Sequence, residues 1–232
     1  MHFLDLHTMT SSYLPSLGGN EVGCIEVHQE RSLICVAEKG VMPNVFIYEY
    51  PSLSLMRVLK GGTERAYSAA HFSGDGEKLA TVGAFPDYML TVWDWNKEAI
   101  VLRTKAFAQE VYRVRFSPRF EGQLVTSGTG HIRFWRMAET FTGLKLQGDI
   151  GKFGQVELSD VEGFCELPDG KVRRVVPRAP LPLPPFLALH AVPPMALRHA
   201  AAASPPTSLS ASRVTLAVAA CALVCAAGAL RL

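Results

Sequence analysis

The chain has 232 residues and a formal net charge of +2, long enough for one or two domains. Its charge is uneven: residues 173–232 hold six arginines and no Asp, Glu or Lys, which leaves 17 basic and 21 acidic residues in 1–172, a net of −4. A mildly acidic body excludes the basic face of a nucleic-acid binder, and five scattered cysteines (Cys24, Cys35, Cys165, Cys221 and Cys225) fit reduced cytoplasmic thiols better than a disulfide framework.

Taken in chain order, residues 1–19 read as a lead-in. Met1-His2-Phe3-Leu4-Asp5 has neither a basic n-region nor an apolar h-region, so no signal peptide is expected. Four short strands follow: Gly23–His28, Ser32–Ala37, Val45–Tyr50 and Leu53–Leu59. The same order returns as Tyr67–Phe72, the turn Ser73-Gly74-Asp75-Gly76, Lys78–Gly83, Leu90–Trp95 and Ala99–Lys105. It returns again as Val111–Phe116, a turn from Ser117-Pro118 to Gly122, Gln123–Gly128, His131–Arg136 and Thr142–Leu146. His28, Phe72 and Phe116 are 44 residues apart each time, and Tyr48, Trp93 and Trp135 are 45 and 42 apart. A further unit starts at Asp160–Val172, where Pro168-Asp169-Gly170 repeats the turn chemistry.

Four strands in a period of roughly 40–45 residues is the pattern of a propeller blade. The expected fold is therefore all-β, with WD-type β-propeller blades over residues 20–172: three blades and a partial fourth. The second and third strands are continuous apolar runs, as strands buried on both faces must be. The fourth carries Arg57, Lys60, Arg103 and Lys105, as a half-solvated outer strand does. Tyr48, Trp93, Trp135, Phe72 and Phe116 form the expected repeat core. Trp95 shares a face with Trp93 by strand alternation and is expected nearer the solvent. Trp93-Asp94 is the namesake dipeptide, but no unit has the Gly-His dipeptide before its first strand, which leaves the buried Asp-His-Ser/Thr-Trp network of a WD blade incomplete. A closed seven-blade ring needs roughly 280–300 residues at this period. The chain is therefore expected to expose blade faces and to self-associate when expressed alone.

From Arg173 the composition changes. Nine of fifteen prolines and sixteen alanines lie in 173–232, and Pro180–Pro185 cannot enter a central strand. This segment is expected to be an unfolded low-complexity tail, with the composition of translated G+C-rich non-coding sequence. Val214–Leu230 is 17 residues without charge, at the short edge of a membrane span, so a tail anchor is the second reading of it. A lipid-anchor signal has a similar outline but needs an N-terminal secretory signal.

Chemistry-bearing motifs are sparse. The seven histidines lack metal-ligand spacing, and His28 and His71 read as strand residues. Cys221–Cys225 falls in the apolar tail. Gly61-Gly62-Thr63-Glu64-Arg65 lacks the Gly-Lys-Ser/Thr of a phosphate loop and reads as an inter-blade turn, and Ser127-Gly128-Thr129-Gly130 reads as a hairpin. Trp93, Trp95 and Trp135 fit a core better than a ligand cage. No catalytic residue, cofactor, metal or small-molecule substrate is expected.

Longer strings are more specific than the repeat. Ala37-Glu38-Lys39-Gly40, Ile47–Leu53, Pro86–Trp93, Ser127–Trp135 and Thr140–Gly148 together resemble the N-terminal propeller of the cilia- and flagella-associated WD-repeat proteins of the dynein tether and tether-head complex, from about Tyr13 to Val172. The resemblance implies a non-catalytic scaffold in the axoneme of a cilium or flagellum. It would link the inner-arm dynein motor domain to doublet microtubules beside a sister ciliary WD-repeat protein, and so support ciliary beating. The alternatives are a generic cytoplasmic WD-repeat adaptor and a tail-anchored membrane protein with a cytosolic β-domain.

Overall fold

The computed structural model describes residues 1–15, 18–152 and 159–175. The expectations for the Pro/Ala-rich segment after residue 175, including the Val214–Leu230 span, lie outside the described residues.

Three four-stranded antiparallel sheets follow one another. The first comprises β3 (Glu21–His28), β4 (Leu33–Lys39), β5 (Val45–Glu49) and β6 (Leu55–Leu59); the second, β7 (Tyr67–Phe72), β8 (Lys78–Gly83), β9 (Met89–Asp94) and β10 (Ala99–Lys105); the third, β11 (Val111–Phe116), β12 (Gln123–Gly128), β13 (His131–Thr140) and β14 (Gly143–Ile150). In each the strands neighbour in chain order, which is how four short strands joined by tight turns form a meander. A hairpin of β1 (His2–Leu4) and β2 (Ser11–Tyr13) precedes them, and β15 (Gly163–Glu166) pairs with β16 (Val172–Val175) after them. These are the propeller blades that the repeat implied. The compositional break at Arg173 falls inside β16, whose ladder runs on to Val175↔Gly163.

Blades stack because the middle strands of each sheet are apolar on both faces. Leu33, Cys35, Ala37, Val45 and Ile47 of blade 1 pack on Tyr67, Phe72, Leu79, Trp93 and Trp95 of blade 2. The opposite face of blade 2, with Ala80, Val82, Leu90 and Val92, packs on Val114, Phe116, Leu124 and Trp135 of blade 3. Val125 and Ile132 then meet Phe164 of β15. Trp93 and Trp135 thus each face the preceding blade. Tyr48 does the same, but what it meets is Met1, Phe3 and Leu14 of the N-terminal hairpin, beside Ile34, Val36 and Phe46. The first strands pack side by side, β3 on β7 and β7 on β11.

The ladders correct one alignment and one burial. Phe72 faces Leu79, Phe116 faces Leu124, and their counterpart facing Ile34 is Val27, not His28. Val27 to Phe72 is 45 residues whereas Phe72 to Phe116 is 44, the turn from Phe116 to Leu124 being one residue longer than those from Val27 to Ile34 and from Phe72 to Leu79, so a uniform 44-residue spacing misplaces blade 1 by one position. Trp95 is 3 % exposed, not near solvent. It leaves the β9 ladder to open a 3-10 turn, Trp95–Lys97, and its indole N–H donates to the Gly76 carbonyl at 2.8 Å. That turn is anchored by Asp94, whose carboxylate accepts from the Lys97 backbone and ammonium.

Candidate functional site

Each blade ties its strands and its incoming loop together with buried polar or aromatic pairs. In blades 2 and 3 the tryptophan of the third strand donates to a threonine of the second: Trp93 Nε1 to Thr81 Oγ1 at 2.8 Å and Trp135 Nε1 to Thr126 Oγ1 at 2.9 Å. Both threonines are buried, so each bond satisfies a donor and an acceptor that would otherwise lose water without replacement. This is half of the WD network that the missing Gly-His dipeptide left incomplete.

The other half is replaced differently in each blade. In blade 2, Thr63, four residues before β7, donates to Asp87 Oδ1 at 2.8 Å, and the Glu64 N–H donates to Asp87 Oδ2. In blade 3 the equivalent loop residue is Phe107, which stacks on His131 with centroids 3.8 Å apart. His131 Nδ1 donates to the Thr129 carbonyl, and burial holds its pKa below the usual imidazole value. In blade 1 the buried Glu38 takes this place. Its Oε2 accepts from the Asn44 backbone at 2.9 Å, from the Asn44 side chain and from Asn20 Nδ2 at 3.2 Å.

Two imidazoles cross the seams at the first strands. His28 Nε2 donates to the Gly74 carbonyl of blade 2 at 3.2 Å while its Nδ1 accepts the Arg31 N–H. His71 Nδ1 accepts the Phe116 N–H of blade 3 at 3.2 Å. A ring nitrogen that accepts a backbone N–H carries no proton, so the His71 ring is neutral in this arrangement. The remaining nitrogen of His71 faces Glu26 Oε1 of blade 1 at 3.9 Å.

The exposed surface offers places for a protein partner. A groove of about 340 Å³ lies between the β7–β8 and β11–β12 turns, lined by Lys78, Phe116, Ser117, Phe120 and Met137 among others. Another, about 820 Å³, lies among the turns at the other end of the strands, with Val41, Phe85 and Pro86 beside Lys39, Arg65 and Glu110. Beside the first groove, β13 and β14 pair from Arg133↔Ile150 to Thr140↔Gly143, whereas β12 stops at Gln123↔Arg136. The hairpin therefore projects past its sheet and ends at Phe141, which is entirely exposed. Such surfaces bury extended or apolar segments of other chains. Among the described residues no group of three His, Cys, Asp or Glu side chains could hold a metal ion.

Of the residues expected to form the repeat core, Tyr48, Trp93, Trp135, Phe72 and Phe116 are all buried. The structure brings Phe72 and Trp93 into the core between blades 1 and 2, Phe116 and Trp135 into that between blades 2 and 3, and sets Tyr48 apart in a smaller cluster. The Thr63–Asp87 tie, the Glu38 hub, the Phe107–His131 stack and the projecting hairpin were not foreseen. Thr63 lies in Gly61–Arg65, whose composition indicates only a turn; its place four residues before β7 is the available signal.

No protein-family profile matches the chain. It is 62 % identical over 176 residues to cilia- and flagella-associated protein 44 of Chlamydomonas reinhardtii, a match covering 73 % of this chain and 10 % of the relative. It is 52 % identical over 172 residues to the protein of that name in Mus musculus, covering 74 % of this chain and 9 % of the relative. Echinoderm microtubule-associated protein-like 4 of Xenopus laevis is 33 % identical over 147 residues, 59 % of this chain and 15 % of that protein. The chain spans about a tenth of the length of the first two relatives.

Proposed function

We propose that this chain, which belongs to the cilia- and flagella-associated protein 44 family, is part of a non-catalytic scaffold of the motile-cilium axoneme. The observation that carries this reading is the 62 % identity over 176 residues to the Chlamydomonas relative, joined to a fold whose surface offers grooves, turns and a projecting hairpin for other proteins. The resemblance extends the proposal to a tether: a link between the inner-arm dynein motor domain and the doublet microtubule, made beside a sister ciliary WD-repeat protein. The blades act by holding binding surfaces at fixed spacing, since stacked sheets with shared cores resist bending. No reaction, cofactor or small-molecule substrate enters this role.

A second reading rests on the 33 % identity to a protein whose name is microtubule-associated. On that reading the chain is an adaptor on microtubules generally, in the cytoplasm as much as in the cilium. One experiment separates the readings. The chain, tagged within the full-length family member and expressed in a ciliated cell, is followed through detergent extraction of the ciliary membrane. Retention on the demembranated axoneme, with crosslinks to inner-arm dynein, supports the tether. Decoration of cytoplasmic microtubules supports the adaptor, and a diffuse cytoplasmic signal overturns both. No helix among the described residues is long and apolar enough to cross a membrane; loss of the tagged protein with the ciliary membrane would point to the tail-anchor alternative.

A further inference from the structure

Glu26, His71 and Arg115 occupy equivalent places on the first strands of three successive blades, one residue before Val27, Phe72 and Phe116. The His71 ring stands between the other two blades. It accepts the Phe116 N–H of β11 at Nδ1, and its Nε2 lies 3.9 Å from Glu26 Oε1 of β3. That separation is too long for a hydrogen bond, and among the described residues no donor hydrogen-bonds the Glu26 carboxyl. The titratable and charged groups around the pair are His28 and Cys24 on β3, Cys35 on β4, and Arg113 and Arg115 on β11. β8 presents only Ala80 opposite His71. A proton on Nδ1 would meet the Phe116 N–H donor to donor and place a cation beside Arg115.

We propose that Glu26 and His71 form a proton-compensated joint, both neutral when the blades are closed in mildly acidic conditions, which keeps the inner seams of blades 1–3 nearly equally firm as pH changes there. Burial raises the Glu26 carboxyl to about 7, against the pull of Arg115 and Arg113. Burial, with Arg115 adding to it, lowers His71 to about 4. In the open state the two groups return to ordinary values, Glu26 ionised and His71 protonated between about pH 5 and 6. Each state then holds one proton on the pair, and by linkage its opening equilibrium has almost no pH slope. Taken singly the two groups have opposite signs. His71 binds its proton more tightly in the open state, so its contribution to closure falls as pH drops from 6.5 towards 4. Glu26 binds its proton more tightly when closed, so its contribution to closure falls as pH rises from 4.5 towards 7.

The test is hydrogen exchange of the Phe116 amide in the full chain at pH 7 and pH 5, corrected for intrinsic exchange and read as an opening constant. The wild-type constant should change by less than about fivefold. Glu26→Gln leaves the histidine uncompensated, and opening should increase roughly 20-fold at pH 5. His71→Gln keeps an acceptor for the Phe116 N–H but removes the titration, and opening should decrease roughly 40-fold at pH 5. The double variant should be flat again, which separates compensation from damage to folding. A wild-type change above about fivefold, or single variants that follow the wild-type profile, overturns the joint.

Discussion

Trp93 and Trp95 show how little separation along a strand says about burial. Both are 3 % exposed or less, both lie in the core between blades 1 and 2, and both indoles donate to a buried acceptor. Trp93→Ala and Trp95→Ala should therefore each cost about 3–5 kcal/mol, read from chemical denaturation. A Trp95→Ala cost below about 1 kcal/mol would show that its turn relaxes around the loss. The partner hydroxyls are expected to contribute less. Thr126→Val keeps the shape but strands the Trp135 N–H in a dry seam, a loss of about 1–3 kcal/mol in the same measurement. Phe141, by contrast, touches nothing that its removal could loosen. Phe141→Ser should leave stability within about 0.5 kcal/mol, while weakening capture of any partner that docks on the hairpin.

At the scale of elements, each blade needs its incoming loop fixed to its own sheet, and the three blades use three chemistries: a carboxylate hub at Glu38, a hydroxyl–carboxylate tie at Thr63–Asp87, and an aromatic stack at Phe107–His131. Asp87→Ala would leave the Thr63 hydroxyl and the Glu64 N–H without their acceptor, and the buried Thr63 is the more costly of the two. The expected loss is about 1–3 kcal/mol, with faster hydrogen exchange confined at first to the β6–β7 loop and β7. Uniformly faster exchange across all three blades would contradict a local role. The turns were easier to foresee than these ties. Gly130 sits at φ +62° in the two-residue hairpin between β12 and β13, a backbone that favours glycine, and Thr129-Gly130 announces it in the sequence.

For the molecule as a whole, blade 2 contributes one face to each of two cores, Leu79 and Trp93 towards blade 1 and Val82, Leu90 and Val92 towards blade 3. Unfolding it must open both. Tryptophan fluorescence isolated to the blade 1–2 core in Trp135→Phe and to the blade 2–3 core in Trp93→Phe/Trp95→Phe, each normalised to the stability of that variant, should give coincident denaturation transitions. Transitions split well beyond the stability difference of the variants would mean that the blades melt independently. The sequence by itself determined the class of fold, the strand order within each blade and the burial of Tyr48, Trp93, Trp135, Phe72 and Phe116, because those depend on local patterning: alternating or continuous apolar runs, turn residues and a period near 44. It also carried the resemblance to the family, because that lies in contiguous strings. Only the tertiary structure decided which polar groups meet. Thr63 and Asp87 are 24 residues apart, His71 and Phe116 are 45 apart, and each pair is joined by turns and seams. A one-residue phase difference, such as that between Val27 and His28, moves a side chain to the opposite face of a strand, and the pleat's period of two sets that outcome from contacts the sequence does not display.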